Sequence, residues 1–325
     1  MLTFGSIQLD MPFIQAPLSG YTDYPMRILA RRFGCPLTFT GVMLDKIALH
    51  HKALRKAKFQ PQADEHPVGA QLLGDDPEVI AQAACKFIEV GYDLIDLNFA
   101  CPAPKVLRRA RGGYRMQQPE FIRQTFRLTR QLVKTPVFMK IRIGYDSSAA
   151  SEEDFWTICR NAAEDGVDML AIHGRTVVQK YKGKADWSRI IEAKKRFGQL
   201  TIFGSGDVLD AETAVQRLAE SGLDGVIIAR GAVGNPWIFQ EIRALFSGQQ
   251  KPPSPSLAEQ GQIMLEHFEM ICQSRPERKA VPYFRKFLAG YCRRHPERKK
   301  VLLALMACKS RQAVIDTIRQ LYCLH

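Results

Sequence analysis

The sequence predicts a (β/α)8 barrel followed by a small all-helical unit, and three observations carry that expectation. From about Pro12 to Phe246, short apolar runs bounded by turn residues alternate with longer amphipathic stretches. The runs are apolar on both faces, as strands of a parallel sheet covered on two sides must be. There are eight of them, the number that closes a barrel. An open doubly wound sheet would need a G-x-G-x-x-G after its first strand, and APLSGYTD (16–23) does not supply one.

In chain order, strands are expected at 12–17, 37–41, 67–73, 93–98, 136–142, 168–174, 200–206 and 224–230. Helical patterns lie between them at 76–91, 118–133, 151–166 and 210–222, with apolar residues recurring every three or four positions, acids near the starts and Gly after several ends. KPPSPS (251–256) reads as a Pro/Ser linker, too stiff and too poor in hydrogen-bond donors to continue a helix. Helical periodicity resumes at 257–274, 281–294, 299–310 and 311–324. The expected organisation is a catalytic barrel over 1–250, the linker, and a basic helical domain over 257–325.

Composition narrows the class. Among 325 residues, 46 Lys+Arg face 33 Asp+Glu, a net charge of +13 that points to a polyanionic partner. Residues 251–325 hold 14 Lys+Arg and 6 Asp+Glu, a net of +8, which leaves +5 for the first 250. The N-terminus shows no basic segment followed by a long apolar one, and no window approaches the ~18 apolar residues of a membrane span. A soluble, unexported, cytoplasmic protein without membrane contact is expected, and a monomer. Eight cysteines without a C-x-x-C pair read as reduced, mostly buried thiols rather than disulfides, zinc or an iron–sulfur cluster, so no metal is expected.

In such barrels, chemistry sits at the C-terminal strand ends and the loops after them. Those positions are Pro17 to Ser19, Gln71, Asn98 to Cys101, Lys140 with Arg142, His173 with Arg175, 204–207 and 229–231. GSGD and ARGAVG, after the seventh and eighth strands, are Gly-rich turns whose backbone N–H groups suit a phosphate, with Arg230 adding a charge. A phosphate there, with Gln71, Lys140 and His173 around the mouth, suits a phosphorylated planar cofactor such as FMN. The Gln71 amide matches the uracil-like edge of an isoalloxazine, and Lys140 can stabilise an anionic reduced ring. Cys101 lies directly past the fourth strand, in a loop stiffened by Pro102 and Pro104. It is either a structural thiol or a reactive one. His50 and His51, in a polar stretch, read as surface.

These segments, in order, resemble the motifs of the dihydrouridine synthases, FMN-dependent enzymes that reduce uridine in tRNA: APLSGYTD, VGAQLLG, DLNFACPAPKV, MKIRIGYD, IHGRT followed by YKGKADW, GSGDV, IIARGAVGNPWIF and RKFLAGYCRR. The resemblance spans nearly the whole chain. It implies that NADPH reduces FMN, that the flavin N5 passes hydride to C6 of a flipped-out uracil, and that Cys101 protonates C5 as a general acid. By motif position, Pro17, Leu18, Ser19, Gln71, Lys140, His173, Ser205, Gly206, Asp207, Ala229 and Arg230 would contact FMN. Asn98 and Arg175 would place the uracil, while Arg285 and Lys286 of the helical domain would bind tRNA.

The chain departs from the family pattern in three places. Gly41 follows Thr40 where a Glu is usual, Ser205 stands where Asn is usual, and the loop after Cys101 reads KVLRRARGGYRM (105–116) in place of a Gly-rich one. Its Lys105, Arg108, Arg109, Arg111 and Arg115 are expected to extend the RNA contact over the mouth. Alternatives left open by the sequence are a catalytically weak RNA-binding homologue, a dihydrouridine synthase acting on ribosomal RNA, and an FMN barrel acting on a free pyrimidine.

Overall fold

A computed structural model describes residues 1–56 and 59–324. Eight parallel strands form the barrel: β1 (Phe13–Gln15), β2 (Thr38–Phe39), β3 (Val68–Leu73), β4 (Leu94–Asn98), β5 (Val137–Arg142), β6 (Met169–His173), β7 (Ile202–Ser205) and β8 (Gly225–Ile228). Each pairs with the next from β2 to β8, and β8 pairs with β1. The ring closes between β1 and β2 through the Gln15 N–H donating to the Leu37 carbonyl at 3.2 Å. All eight expected strands are present. β2 is shorter than expected, and Met43–Leu44 pairs with the end of β3 after a break at Thr40–Gly41.

Between and after the strands run α1 (Tyr24–Arg32), α2 (Pro77–Glu89), α3 (Pro119–Leu132), α4 (Ala149–Glu164), α5 (Trp187–Arg196), α6 (Ala211–Ser221) and α7 (Trp237–Phe246). Their starts follow from local chemistry. Asp76, Ser148, Asp186 and Asp210 each accept first-turn backbone N–H bonds at α2, α4, α5 and α6, and Gly222 ends α6 in the left-handed region.

Strand alternation sorts the barrel interior into two layers. Ile14, Phe39, Leu94, Phe138, Met169, Phe203 and Ile227 form an apolar cluster that also takes in Phe4, Ile7 and Leu9. Those three belong to an N-terminal hairpin, Leu2–Phe4 against Ile7–Leu9, which the sequence reading did not anticipate. Phe4 packs edge-on to Phe138, and Gly5 approaches Pro136 just before β5, so the hairpin plugs the N-terminal end of the barrel. Two to four residues further along the strands the inward positions become polar: Gln71, Asp96, Asn98, Lys140, Arg142, His173 and Ser205. Register pairs Gln71 with Asp96, Asn98 with Lys140, and His173 with both Arg142 and Ser205.

Residues 251–256 carry no helix or strand. After them come α8 (Leu257–Ser274), α9 (Glu277–Tyr291), α10 (Arg298–Ala307) and α11 (Arg311–Leu321). α9 begins four residues before the expected 281. Pro282 lies inside it, because Val281, Phe284, Phe287 and Leu288 bury one face that holds the helix on both sides of the proline. The helical unit is docked on the barrel rather than suspended from it. Tyr21 meets Phe287, Trp237 meets Tyr291, and Gly234 and Gly290 let the turn after β8 touch α9, where a Cβ on Gly290 would lie 1.9 Å from the Val233 carbonyl. All eight cysteines are unbridged; Cys35, Cys159, Cys292 and Cys308 are buried, fewer than the expected majority. His50 is exposed, and the side chain of His51 lies outside the described residues.

Candidate active site at the barrel mouth

The polar layer at the C-terminal strand ends forms two connected groups. On the β3–β4 side, the Gln71 amide nitrogen donates to Asp96 Oδ2 at 2.7 Å, and the Asn98 amide nitrogen donates to Gln71 Oε1 at 2.7 Å. Asn98 Oδ1 then accepts the backbone N–H groups of Ala100 and Cys101, each at 3.0 Å. On the β5–β7 side, Ser205 Oγ lies 3.4 Å from Lys140 Nζ and 3.3 Å from His173 Nδ1. Gln71 is fully buried beneath the mouth with both ends of its amide engaged by protein.

Burial and like charges shape the titration here. Desolvation pushes Asp96 up to about 6 against the pull of Lys140, and brings Lys140 down to about 8 against that of Asp96. His173 falls to about 2, from burial first and then from Arg142, Lys140 and Arg175, so its imidazole is neutral. The Cys101 thiol is raised by burial, opposed by the Ala103 backbone and Arg142, and therefore keeps its proton at neutral pH. Arg142, noted in the sequence as a strand end but given no role, donates to the carbonyls of Ala100, Thr176 and Lys180 and ties the Cys101 loop to the loop after β6.

Asp207, expected at the cofactor, gathers cations around it. Asp207 adopts φ +54°, and its carboxylate gathers donors from Arg175 (2.6 and 2.8 Å), Ala185 N–H (2.8 Å) and Arg230 (2.9 Å). Burial raises its pKa, but these donors bring it net below the usual carboxylate range. The carboxylate is the counter-ion that orients two arginines. Arg175, expected on the uracil, is 2% exposed, with its guanidinium held by Asp207 and the Gly183 and Lys182 carbonyls. Its Nη1 and His173 Nε2 are buried without a hydrogen-bond partner among the described residues. In the turns, Pro17 and Gly206 are buried, Leu18 and Ala229 half-buried, and Ser19 and Arg230 exposed. The sequence missed Tyr181, 61% exposed, whose ring lies 5.8 Å from the Arg142 guanidinium and 5.7 Å from that of Arg230.

The arginine loop divides. Lys105, Arg108 and Arg109 are exposed on the short helix Pro104–Leu107 and the turn after it. Arg111 is buried, with Nη2 and Nε donating to Asp75 Oδ2 at 2.7 and 3.0 Å, so its guanidinium staples this segment to the loop after β3. Arg115 lies 3.6 Å above the Phe121 ring and donates to the Asp75 carbonyl. The expected RNA contacts in the helical unit also have partners within the chain. Arg285 donates to the Cys308 carbonyl at 2.9 Å, and Lys286 donates to the Gly20 carbonyl with its ammonium 3.5 Å from the Tyr283 ring. Gly41, in place of the usual Glu, sits where a Cβ would approach the Leu18 carbonyl at 3.3 Å, which lets the loop after β1 pack down.

A family model described as dihydrouridine synthase matches residues 14–322, barrel and helical unit alike. The chain belongs to the dihydrouridine synthase family. A probable tRNA-dihydrouridine synthase of Rickettsia conorii is 33% identical over 324 residues, covering 99% of this chain and 96% of that protein. The tRNA-dihydrouridine synthase B of Xanthomonas axonopodis pv. citri is 31% identical over 296 residues, 91% of this chain and 88% of that protein. Among solved structures, histamine dehydrogenase from Rhizobium sp. 4-9 superposes with a TM-score of 0.55 at 12% identity, over 83% of this chain and half of that one, which reflects the shared fold. As a dihydrouridine synthase, the chain presents its family motifs at one end of the barrel, with Cys101 on the loop that Asn98 and Arg142 anchor. Among the described residues no group of His, Cys, Asp and Glu is arranged to hold a metal, and no helix is long and apolar enough to cross a membrane.

Proposed function

We propose that this chain reduces specific uridines in tRNA to 5,6-dihydrouridine, with Cys101 as the proton donor to C5. The observation behind this reading is Cys101 itself: a half-buried thiol, held in its protonated form, on a loop pinned at the mouth of the barrel. A general acid must hold its proton until the transition state, and a thiol raised by burial does so at neutral pH.

The residues fit a flavin phosphate ester such as FMN. His173 Nε2 and Arg175 Nη1 are buried polar atoms lacking a protein partner among the described residues, and Lys140, Ser205 and Arg230 complete a cationic and hydroxylic donor set. FMN, when bound, supplies the hydride that goes to C6, with NADPH as the reductant. Lys140 and the neutral His173 hold the ring edge, Arg230 with the Ser205–Gly206 turn holds the phosphate, and Asn98 keeps the Cys101 loop in place beside the target base. Tyr181 and the exposed Lys105, Arg108 and Arg109 line the approach for RNA, and the basic helical domain at 257–325 grips its backbone. We place this activity in the cytoplasm, in a monomer.

The test is purified protein incubated with unmodified tRNA, FMN and NADPH, with dihydrouridine read by mass spectrometry of nucleosides. Formation at a defined position supports the reading. Flavin binding and reduction without dihydrouridine in any RNA contradicts it.

A further inference from the structure

Beneath the mouth, strand-borne side chains form a hydrogen-bond chain whose direction is fixed at both ends. At its root lies Asp96, inward-facing on β4 and 3% exposed. Lys140 on the paired strand places a positive charge that favours the ionised form of Asp96, and an ionised carboxylate can only accept. Gln71 must therefore turn its amide nitrogen toward Asp96, which leaves its carbonyl oxygen for the amide nitrogen of Asn98, both at 2.7 Å. Asn98 has only its own carbonyl oxygen left, and that accepts from Ala100 and Cys101, whose backbone N–H groups can only donate.

Either amide alone could be turned over with little cost. Between an acceptor-only group at one end and two donor-only groups at the other, a single orientation satisfies the whole chain. We infer that Asp96 is a positioning residue for the loop that carries Cys101, acting through Gln71 and Asn98. This rests on Cys101 being the proton donor. Asp96 itself is too deep to meet substrate, and Lys140 on the neighbouring strand supplies the counter-charge that keeps it tolerable in the barrel.

The experiment uses the full-length protein and two substitutions. Asp96→Leu removes the acceptor; Asp96→Asn keeps an oxygen in place but can also donate, so it no longer dictates direction. Amide hydrogen exchange is followed in the peptide containing Ala100 and Cys101, alkylation of Cys101 by iodoacetamide is followed against exposed Cys323, and the unfolding midpoint serves as the fold control. Losing one net hydrogen bond of anchoring corresponds to about tenfold faster exchange. Asp96→Leu should show that rise at Ala100 and Cys101 with exchange in β5 and β6 unchanged, and Cys101 should alkylate faster relative to Cys323. Asp96→Asn should give about a threefold rise at the same amides, the fraction expected when a weaker acceptor competes with its flipped form.

Unchanged exchange at both amides in either folded variant overturns the inference. So does an equal rise throughout the barrel, which would make Asp96 a general stability residue. If Asp96→Leu fails to fold, Asp96→Asn alone decides. Full activity in Cys101→Ala would remove the proton-donor role without altering these exchange rates, so the two failures are distinguishable.

Discussion

The polar layer inside the barrel and the arginine loop beside it are both rich in charge, yet they are built on opposite terms. Inside, Asp96, Lys140, Arg142 and His173 are fixed by strand register, and each is held by a partner on the next strand or loop. In the loop, five cations lie close together in sequence with no acid among them, and the structure separates them by a partner from elsewhere. Asp75, in the loop after β3, draws in Arg111 and holds Arg115, and leaves Lys105, Arg108 and Arg109 to solvent. A run of like charge on a surface loop is thus two populations, one structural and one available to a polyanion.

Substitutions on either side put this contrast at risk. The largest effect belongs inside: Cys101→Ala should retain flavin and its reduction by NADPH while dihydrouridine formation falls about 100-fold or more, the share typical of a general acid. Single-turnover rates with tRNA check this. Next, Arg111→Ala should destabilise the fold by about 2 kcal/mol, below the full loss for a buried pair because Asp75 stays partly hydrated. Urea unfolding reads it, and a variant as stable as wild type would return Arg111 to the available set. Replacing Arg108 and Arg109 together by Ala should leave stability within about 0.5 kcal/mol and lower the salt slope of tRNA binding by about 1 for each phosphate no longer engaged. Filter binding at several salt concentrations measures it, and an unchanged slope would empty the available set.

A further effect, absent at pH 7, is a pH slope. His267, buried on α8 with Nδ1 2.7 Å from the Tyr291 hydroxyl, has its pKa lowered to about 3 by burial and Arg275. The unfolded state binds the proton below about 6.5 while the folded state does not, so this contribution is present above that pH. It is lost as pH falls toward 3, at up to ~1.4 kcal/mol per pH unit. His267→Gln should flatten the decline of the thermal midpoint between pH 6.5 and 4, whatever its effect at pH 7. An identical slope in both proteins would mean that His267 is protonated in the native state.

Much of the fold was legible because β/α alternation is a local property: strand runs and capped helices announce themselves within a dozen residues. The N-terminal hairpin was not, since Leu2–Phe4 and Ile7–Leu9 are too short for a periodic signal. The early start of α9 was masked by Pro282, whose breaking tendency is overridden by the face that Val281, Phe284, Phe287 and Leu288 bury. At the site, strand-end residues such as Asn98, Lys140 and His173 were readable from position alone. Asp96 was not singled out, although its period-two spacing from Asn98 put a carboxylate on the inner face of an apolar strand, a signal that was there to use. The partners of Arg111, Arg175 and Asp207 were not legible, because they lie 22 to 36 residues away or across a loop, where sequence carries no distance.

The role of Cys101 in the cell can be decided by mapping dihydrouridine across all RNAs in cells lacking this chain, complemented with the wild type or with Cys101→Ala at equal abundance. A defined tRNA position should lose dihydrouridine in the absence of the chain, regain it with the wild type and fail to regain it with Cys101→Ala. Full restoration by Cys101→Ala would contradict the proton-donor role, and an unchanged map without the chain would contradict the activity itself.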